Sequence, residues 1–213
     1  ESELCRVFPQ ARIARWESGT AVNFENTDIF IATQAGIRHL QRRFDLVGVL
    51  GIDNALNHVD FRASEKTYGI ITSLASLADS RMVVQTNMVH HHVFKALTLH
   101  SSESFYDEEF LQRRQLLFPP YRHFGLVKLR GKDEGKVEKA AHAVFGSLSE
   151  ATKPAGIEMI SVNPAPQAKL RGNFYWNILT ACADTRDLHD FLKKNLTKVR
   201  NAGIIVTVDI DPV

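Results

Sequence analysis

Residues 51–80 read GIDNALNHVDFRASEKTYGIITSLASLADS, and this stretch decides the fold that we predict for the first half of the chain. It begins at the end of an apolar run, crosses a polar loop and enters a segment with apolar residues at helical spacing, at Tyr68, Ile71, Leu74, Ala75 and Ala78. Asp60 and Ser64 are both suitable N-caps for a helix over residues 65–79. The stretch therefore predicts a strand, a loop and an amphipathic helix in succession.

Short apolar runs flank this stretch. They are DIFIA at 28–32, DLVGVLGI at 45–52 and MVVQT at 82–86, with a shorter alternating strand predicted at 11–15. Near-continuous apolar runs separated by helical segments are typical of parallel strands buried on both faces. We therefore predict an α/β domain with a parallel sheet over residues 1–97.

The second half of the chain has a different pattern. Residues 89–115 are helical in pattern, and Pro119 and Pro120 then interrupt regular structure, so we predict a helical linker over residues 98–120. We predict the next domain over residues 121–213, with strands at 124–130, 157–162 and 204–210 and a long strand centred on 174–179 within residues 169–183. Helices are predicted at 133–151 and 185–200, with Thr185 as the candidate cap of the second. This β-α-β-β-α-β order predicts two helices on one face of a mostly antiparallel sheet.

Composition limits the classes of function. Among 213 residues, 44% are hydrophobic and the net charge is +2, so any contact with nucleic acid must be local. No run approaches the roughly 18 apolar residues of a membrane span. Cys5 and Cys182 lie far apart, which predicts a reducing, cytoplasmic compartment and no metal site. The chain starts at Glu1 without a methionine, and we expect it to be a piece of a longer protein.

Motifs for nucleotide or metal chemistry are missing or weak. No GxxxxGK[ST] loop is present, so the chain is not expected to bind a nucleoside triphosphate by itself. The histidines at 90–92 would point about 100° apart on a helix, which favours a solvated helix start over a metal site. Asp209 and Asp211 would lie about 7 Å apart on one strand face, as an acid/base pair or, as we favour, a polar strand end.

Basic and aromatic residues alternate closely in KLRGNFYW at residues 169–176. Lys169 and Arg171 could contact phosphates while an aromatic ring stacks on a base. Alternatively, Phe174 and Trp176 share the core face and the basic residues are only solvated. The residues leave both interpretations open for Arg171.

Taken together, these segments resemble the C-terminal part of the PriA (primosomal protein N′) family of superfamily 2 DNA helicases. The matching segments, in chain order, are IATQ at 31–34, LVGVLGID at 46–53, VDFRASEKT at 59–67, FYDEE at 105–109 with RR at 113–114 and FPPY at 118–121, PAP at 164–166 with KLRG at 169–172 and YW at 175–176, and VDIDP at 208–212. Six ordered matches over most of the chain are more specific than any single motif.

The resemblance implies a partial RecA-like helicase lobe at 1–97 and a C-terminal domain that resembles a small-subunit ribosomal protein. It implies a role in replication restart, with binding of forked or single-stranded DNA and contacts to other primosome proteins. The DNA-binding positions that it implies are Thr33, Gln34, Arg62, Lys169 and Arg171. For the acidic C-terminal tail of single-strand-binding protein it implies Arg186 and His189. In the full-length family it also implies ATP with Mg and a zinc-binding cysteine cluster, with no cofactor, metal ligand or catalytic residue in this chain.

One family motif departs from its pattern. Where the family has a QVAGRAGR-type segment, residues 72–80 read TSLASLADS, and the two arginine positions hold Leu77 and Ser80. Such an arginine is worth about 10³ to 10⁵ in rate in related systems. Arg81 is the nearest cation. The hypothesis is a replication-restart protein with an impaired motor; the alternatives are the C-terminal part of an active ATP-dependent 3′→5′ helicase and a protein-interaction module without a DNA role.

Overall fold

The structure is a computed structural model that describes residues 2–16, 24–34, 42–58, 60–152, 156–196 and 203–212. It has a mixed α/β architecture in two compact units. The N-terminal unit comprises Glu1–Leu50 and Ile70–Gln85, and the C-terminal unit comprises Gly51–Gly69 and Thr86–Val213. The predicted domain limits at residues 97 and 120 stay a prediction. None of the described helices is long and apolar enough to cross a membrane.

The N-terminal unit contains two separate parallel strand pairs. Its elements are α1 (Ser2–Val7), β1 (Ile13–Trp16), a 3₁₀ turn (Phe24–Asn26), β2 (Ile29–Ala32), β3 (Phe44–Val49) and β4 (Ala78–Val84). β1 pairs with β2 and β3 pairs with β4. The prediction that the strands are buried on both faces is wrong for the described residues, since Leu46 is 59% and Val83 53% exposed. Each of the two sheets described in this unit has only two strands, so few neighbouring side chains cover its residues.

The stretch at residues 51–80 folds partly as predicted. Its first turn is a short helix, α2 (Asp53–Leu56), and its amphipathic helix is α3 (Ala63–Ala75). The Asp60 carboxylate accepts a hydrogen bond from the Arg62 backbone N–H, which satisfies an unpaired donor near the start of α3. The predicted helix end at residue 79 is wrong, because Ala78 already pairs with Phe44 as the start of β4.

The C-terminal unit continues with two helices and a four-stranded sheet. The elements are α4 (His92–Thr98), α5 (Ser102–Gln115), β5 (His123–Gly131), α6 (Glu134–Ala151), β6 (Glu158–Leu170), β7 (Asn173–Cys182), α7 (Thr185–Leu196) and β8 (Ile204–Ile210). The strands lie in the order β6-β7-β5-β8, and every neighbouring pair is antiparallel. The predicted β-α-β-β-α-β order is confirmed.

One face of this sheet carries the core. Alternate residues of β5, including Val127 and Leu129, are fully buried with Ile178 of β7. Helix α6 contributes Val137, Ala141 and Leu148, and α7 contributes Leu188 and Leu192. Since side chains alternate along a strand, the residues between them, such as Lys128 and Arg130, lie on the opposite face, which is accessible to solvent.

Two glycines in this domain give a matched stability test. A Cβ at Gly125 would lie 2.6 Å from Thr180 Oγ1 and 3.0 Å from Leu192 Cδ1, whereas nothing lies within 4 Å of a Cβ at Gly146. We expect Gly125→Ala to lower the free energy of unfolding by roughly 1–3 kcal/mol through overpacking. Gly146→Ala, inside α6, should raise it by roughly 0.5–1 kcal/mol. Urea unfolding of both variants checks the signs, and equal effects would contradict the described packing.

Candidate functional site

The β6–β7 hairpin presents two of the predicted basic residues. A two-residue turn, Arg171 and Gly172, joins its strands, and both residues have positive φ, at 50° and 75°. That combination is typical of a type I′ turn, which matches the twist of paired strands. The left-handed conformation costs a residue with a Cβ about 1–2 kcal/mol. As the first residue of this turn, Arg171 lies at the exposed tip of the hairpin.

Lys169 lies beside this tip on the outer strand. Its Nζ is 5.0 Å from the centroid of the Phe174 ring, within the range of a cation–π contact. The pairing between β6 and β7 is irregular between Pro164 and Lys169, where several residues of β6 oppose Tyr175 alone. β6 is an outer strand of the sheet, so it tolerates two prolines that cannot donate hydrogen bonds. The hairpin thus brings Lys169 and Arg171 together.

Arg62 lies in a different part of the C-terminal unit, at the start of α3. Its guanidinium carbon is 4.8 Å from the Phe61 ring centroid, and Arg113 approaches the same ring at 5.7 Å. Lys66 pairs with the capping residue Asp60. The segment around Arg62 is therefore held by stacking and capping, and the Arg62 side chain is half-buried.

A buried ionic cluster lies next to this segment. The Glu109 carboxylate accepts a hydrogen bond from Arg113 Nε at 2.8 Å and makes another with His92 Nε2 at 2.9 Å. Arg113 Nη2 also donates to Glu65 at 2.8 Å, which ties α5 to the start of α3. Burial raises the pKa of Glu109, but the hydrogen bonds from His92 and Arg113 and the Arg113 charge outweigh it and bring the pKa below its ordinary value.

Sequence reasoning missed this cluster. The histidines at 90–92 were expected to be solvated, which is wrong for His92, because its side chain is buried against α5. His91 instead caps α4 by accepting the Val93 N–H. The signal in the sequence was that Glu109 follows Phe105 by four residues, which places both on one face of α5. That face is buried at both positions. A carboxylate on the buried face of a helix requires a cationic partner.

Thr33 and Gln34 belong to the N-terminal unit, whereas the other three predicted DNA-binding residues belong to the C-terminal unit. Both directly follow β2 and are exposed. Within the C-terminal unit, the β6–β7 hairpin brings Lys169 and Arg171 together.

The position of the arginine-rich family motif is occupied by the end of a helix and the start of a strand. Leu77 lies in the turn after α3, and Ser80 and Arg81 lie on β4. Asp79 forms an ion pair with Arg43 at 2.8 Å. Arg81 pairs in register with Leu46 and is exposed. Neither Leu77 nor Ser80 can supply a cation.

The carboxylates that sequence analysis considered have structural partners. Asp53 accepts hydrogen bonds from the Thr86 hydroxyl and the Asn87 N–H, which lower its pKa. Asp209 pairs with Lys128. Asp211 lies beyond the end of β8, where it accepts the Phe124 N–H at 2.8 Å and contacts His123 at 2.7 Å. An acid/base pair of Asp209 and Asp211 on one strand face is therefore wrong.

Arg186 and His189 lie on one face of α7. Asp184, rather than the predicted Thr185, caps this helix by accepting the N–H groups of Arg186 and Asp187, which lower the Asp184 pKa. His189 and Lys193 line a cleft of about 410 Å³ between α7 and β8, whose apolar wall includes Val206, Val208 and Ile210. Within the described parts of the chain, the Arg186 side chain has no ion-pair partner.

No group of three His, Cys, Asp or Glu side chains that could hold a metal ion occurs among the described residues.

Comparisons with known proteins agree with the resemblance. Residues 114–213 match the family model described as "Primosomal protein N C-terminal domain". The chain is 26% identical to the replication restart protein PriA of Bacillus subtilis over 238 aligned positions, covering 100% of this chain and 29% of that relative. For the PriA of Synechocystis the identity is 25%, over 98% of this chain and 27% of the relative. For the PriA of Treponema pallidum the identity is 26%, and the match covers 100% of this chain and 35% of the relative. The chain thus spans about a third or less of these relatives.

The buried ionic cluster predicts a pH-dependent stability. Because the pKa of Glu109 is lower in the folded state, its stabilisation is complete above its unfolded pKa and is lost as pH falls through the folded pKa. We expect Glu109→Gln to lower the free energy of unfolding by roughly 1–3 kcal/mol at about pH 7 and by less at about pH 3.

Urea unfolding at both pH values measures this difference. Glu108→Gln is the matched control, because Glu108 is the exposed neighbour on the same helix. The same loss from both variants, or no dependence on pH, would contradict a stabilising role for the cluster.

Proposed function

We propose that this chain provides DNA and protein contacts in a PriA-like replication-restart protein. The premise is the match of residues 114–213 to the family of primosomal protein N C-terminal domains. The observation that carries the proposal is the similarity of the whole chain to relatives named for replication restart. We place the protein in the cytoplasm, where other primosome proteins are its further partners.

The hairpin is the proposed DNA contact best supported by geometry. Lys169 and Arg171 are both exposed at one end of the sheet, and neither is paired with a carboxylate among the described residues. Unpaired cations close together are suited to phosphate groups of forked or single-stranded DNA. Arg62, stacked on Phe61, is a second and separate proposed contact.

The N-terminal unit is proposed to be part of a RecA-like lobe. Its two strand pairs are parallel, and α3 connects the paired strands β3 and β4 as in a β-α-β unit. Thr33 and Gln34 follow the carboxyl end of β2, the end at which open α/β sheets bind ligands. This location supports a DNA contact by these two residues.

We propose that nucleotide hydrolysis is impaired because residues 72–80 lack the arginines of the family motif. Leu77 and Ser80 occupy the arginine positions, and Arg81 lies on a strand with its backbone already paired to Leu46. Stabilising charge on a transferred phosphoryl group requires a cation at that position. The chain therefore contributes binding rather than the arginine chemistry of a motor.

The cleft beside α7 is proposed to take the acidic tail of single-strand-binding protein. Arg186, His189 and Lys193 lie at spacings of three and four residues, which align them along one helix face. The apolar residues of β8 provide the opposite wall. A cationic row beside an apolar wall complements a peptide with carboxylates and an apolar end.

The DNA contact predicts a salt-dependent affinity. The 213-residue chain should bind a forked oligonucleotide, and Lys169→Gln with Arg171→Gln should weaken binding and reduce the slope of log affinity against log salt by about 1–2. Fluorescence anisotropy at several salt concentrations measures both. Lys95→Gln with Arg114→Gln removes the same charge from exposed positions on α4 and α5 and should change little. Equal effects of the two double variants would refute the hairpin contact.

The cleft predicts a charge-specific peptide affinity. Arg186→Gln should weaken binding of a synthetic acidic peptide with a free C-terminal carboxylate by roughly 10-fold, the loss of one charge-assisted contact. Asp187→Asn, at the next position of α7, removes a repulsive charge and should leave binding equal or tighter. Calorimetry with the whole chain distinguishes these signs, and weakening by both variants would count against the assignment.

A further inference from the structure

A second basic cleft lies at the end of the four-stranded sheet near the hairpin. It has a volume of about 400 Å³ and is formed where β5 leads into α6, where β7 begins and where β8 begins. Its lining includes three cations, Arg130, Lys132 and Lys136, together with Asp133 and Asn173. None of the family-derived DNA-binding positions lies among its lining residues.

The charge balance of this cleft favours an anion. Within the described residues, the side chain of none of its three cations has an ion-pair or hydrogen-bond partner, and all three residues are exposed. Asp133 is its one acidic lining residue, and the Asp133 carboxylate already accepts the Lys136 N–H at 2.9 Å as the N-cap of α6. The lining therefore carries more positive than negative charge, and the positive end of an 18-residue helix adds to it.

The wall of the cleft has little side-chain bulk. A Cβ at Gly131 would lie 2.9 Å from Val137 Cγ2 and 3.0 Å from the Gly203 carbonyl oxygen, so this close approach requires glycine. Gly203 also lines the cleft and has φ of 86°. Gly131 itself is buried by these neighbours, whereas Gly203 is exposed, so the backbone of Gly203 is accessible to a ligand at the cleft.

The sheet register connects this cleft with the hairpin. Lys169 lies opposite Phe174, and Phe174 lies opposite Gly131 on the next strand. Two strand spacings separate the backbones of Lys169 and Gly131 by about 10 Å. In the adjacent row, Arg130 lies opposite Tyr175, so a half-buried aromatic side chain is next to a cation on the other, solvent-accessible face of the sheet. Cations next to an aromatic ring suit the backbone and a base of one nucleic-acid strand.

We infer that the cleft lined by Arg130, Lys132 and Lys136 binds backbone phosphates of single-stranded DNA and continues the contact that begins at the hairpin. The inference rests on the proposed DNA-binding function and adds a site to it. Lys132 and Lys136 are the phosphate-contacting pair, and Arg130 adds a third positive charge to the lining.

The test compares two double variants of the 213-residue chain with a single-stranded oligonucleotide. Lys132→Gln with Lys136→Gln should weaken binding by roughly 10-fold at low salt and reduce the slope of log affinity against log salt by about 1.4, at about 0.7 per single-strand phosphate contact. Lys95→Gln with Arg114→Gln removes the same charge from exposed positions on α4 and α5, outside the cleft, and should shift affinity by less than about 2-fold. Thermal unfolding of each variant verifies folding.

The outcomes separate the inference from the proposed function. If the unaltered chain binds and the two double variants behave alike, the cleft is not a phosphate site, while the DNA-binding function stands. If the unaltered chain shows no salt-dependent binding, both the cleft assignment and the proposed DNA-binding function fail. If the double variant does not fold, NMR titration of the unaltered chain decides: shifts of the Gly131 and Gly203 amides with the oligonucleotide support the site. Unchanged amides, or equal shifts with inorganic phosphate, overturn its assignment to DNA.

Discussion

Burial of one face of the four-stranded sheet is the constraint on which the C-terminal domain depends. Val127, Leu129 and Ile178 are fully buried on that face, packed in one core with α6 and α7. A shift of one residue in register would move each apolar side chain to solvent, so the burial determines the register. The same register determines which residues, such as Arg130 and Tyr175, lie on the exposed face.

Three of the candidate binding surfaces follow from this register. The hairpin tip lies where β6 ends and β7 begins. The basic cleft lies where β5, α6, β7 and β8 meet at the same end of the sheet, and the cleft with His189 lies between α7 and β8. Each surface has cations beside an apolar or backbone wall. Binding of anionic partners therefore needs no high net charge, which agrees with the net charge of +2 for the whole chain.

Charged groups elsewhere serve the fold rather than chemistry. Glu109 is satisfied by His92 and Arg113, and Arg113 is satisfied in turn by Glu65, so a buried carboxylate is paired on both sides. Asp53 and Asp211 bind backbone N–H groups at the ends of elements. Carboxylates that are fully hydrogen-bonded in this way stabilise local structure and are poorly placed to exchange protons with a substrate.

The sequence by itself determined the elements whose causes are local: the Asp60 turn before α3, the amphipathic helix α6 and the β-α-β-β-α-β order, because periodicity and caps depend on neighbouring residues. It also carried the family resemblance, in ordered motifs. Only the tertiary structure decided what depends on distant residues. The pairing of His92 with Glu109 joins two helices, the exposure of Leu46 depends on how many strands flank it, and the cleft of Arg130, Lys132 and Lys136 needs residues from β7 and β8 that no local pattern brings together.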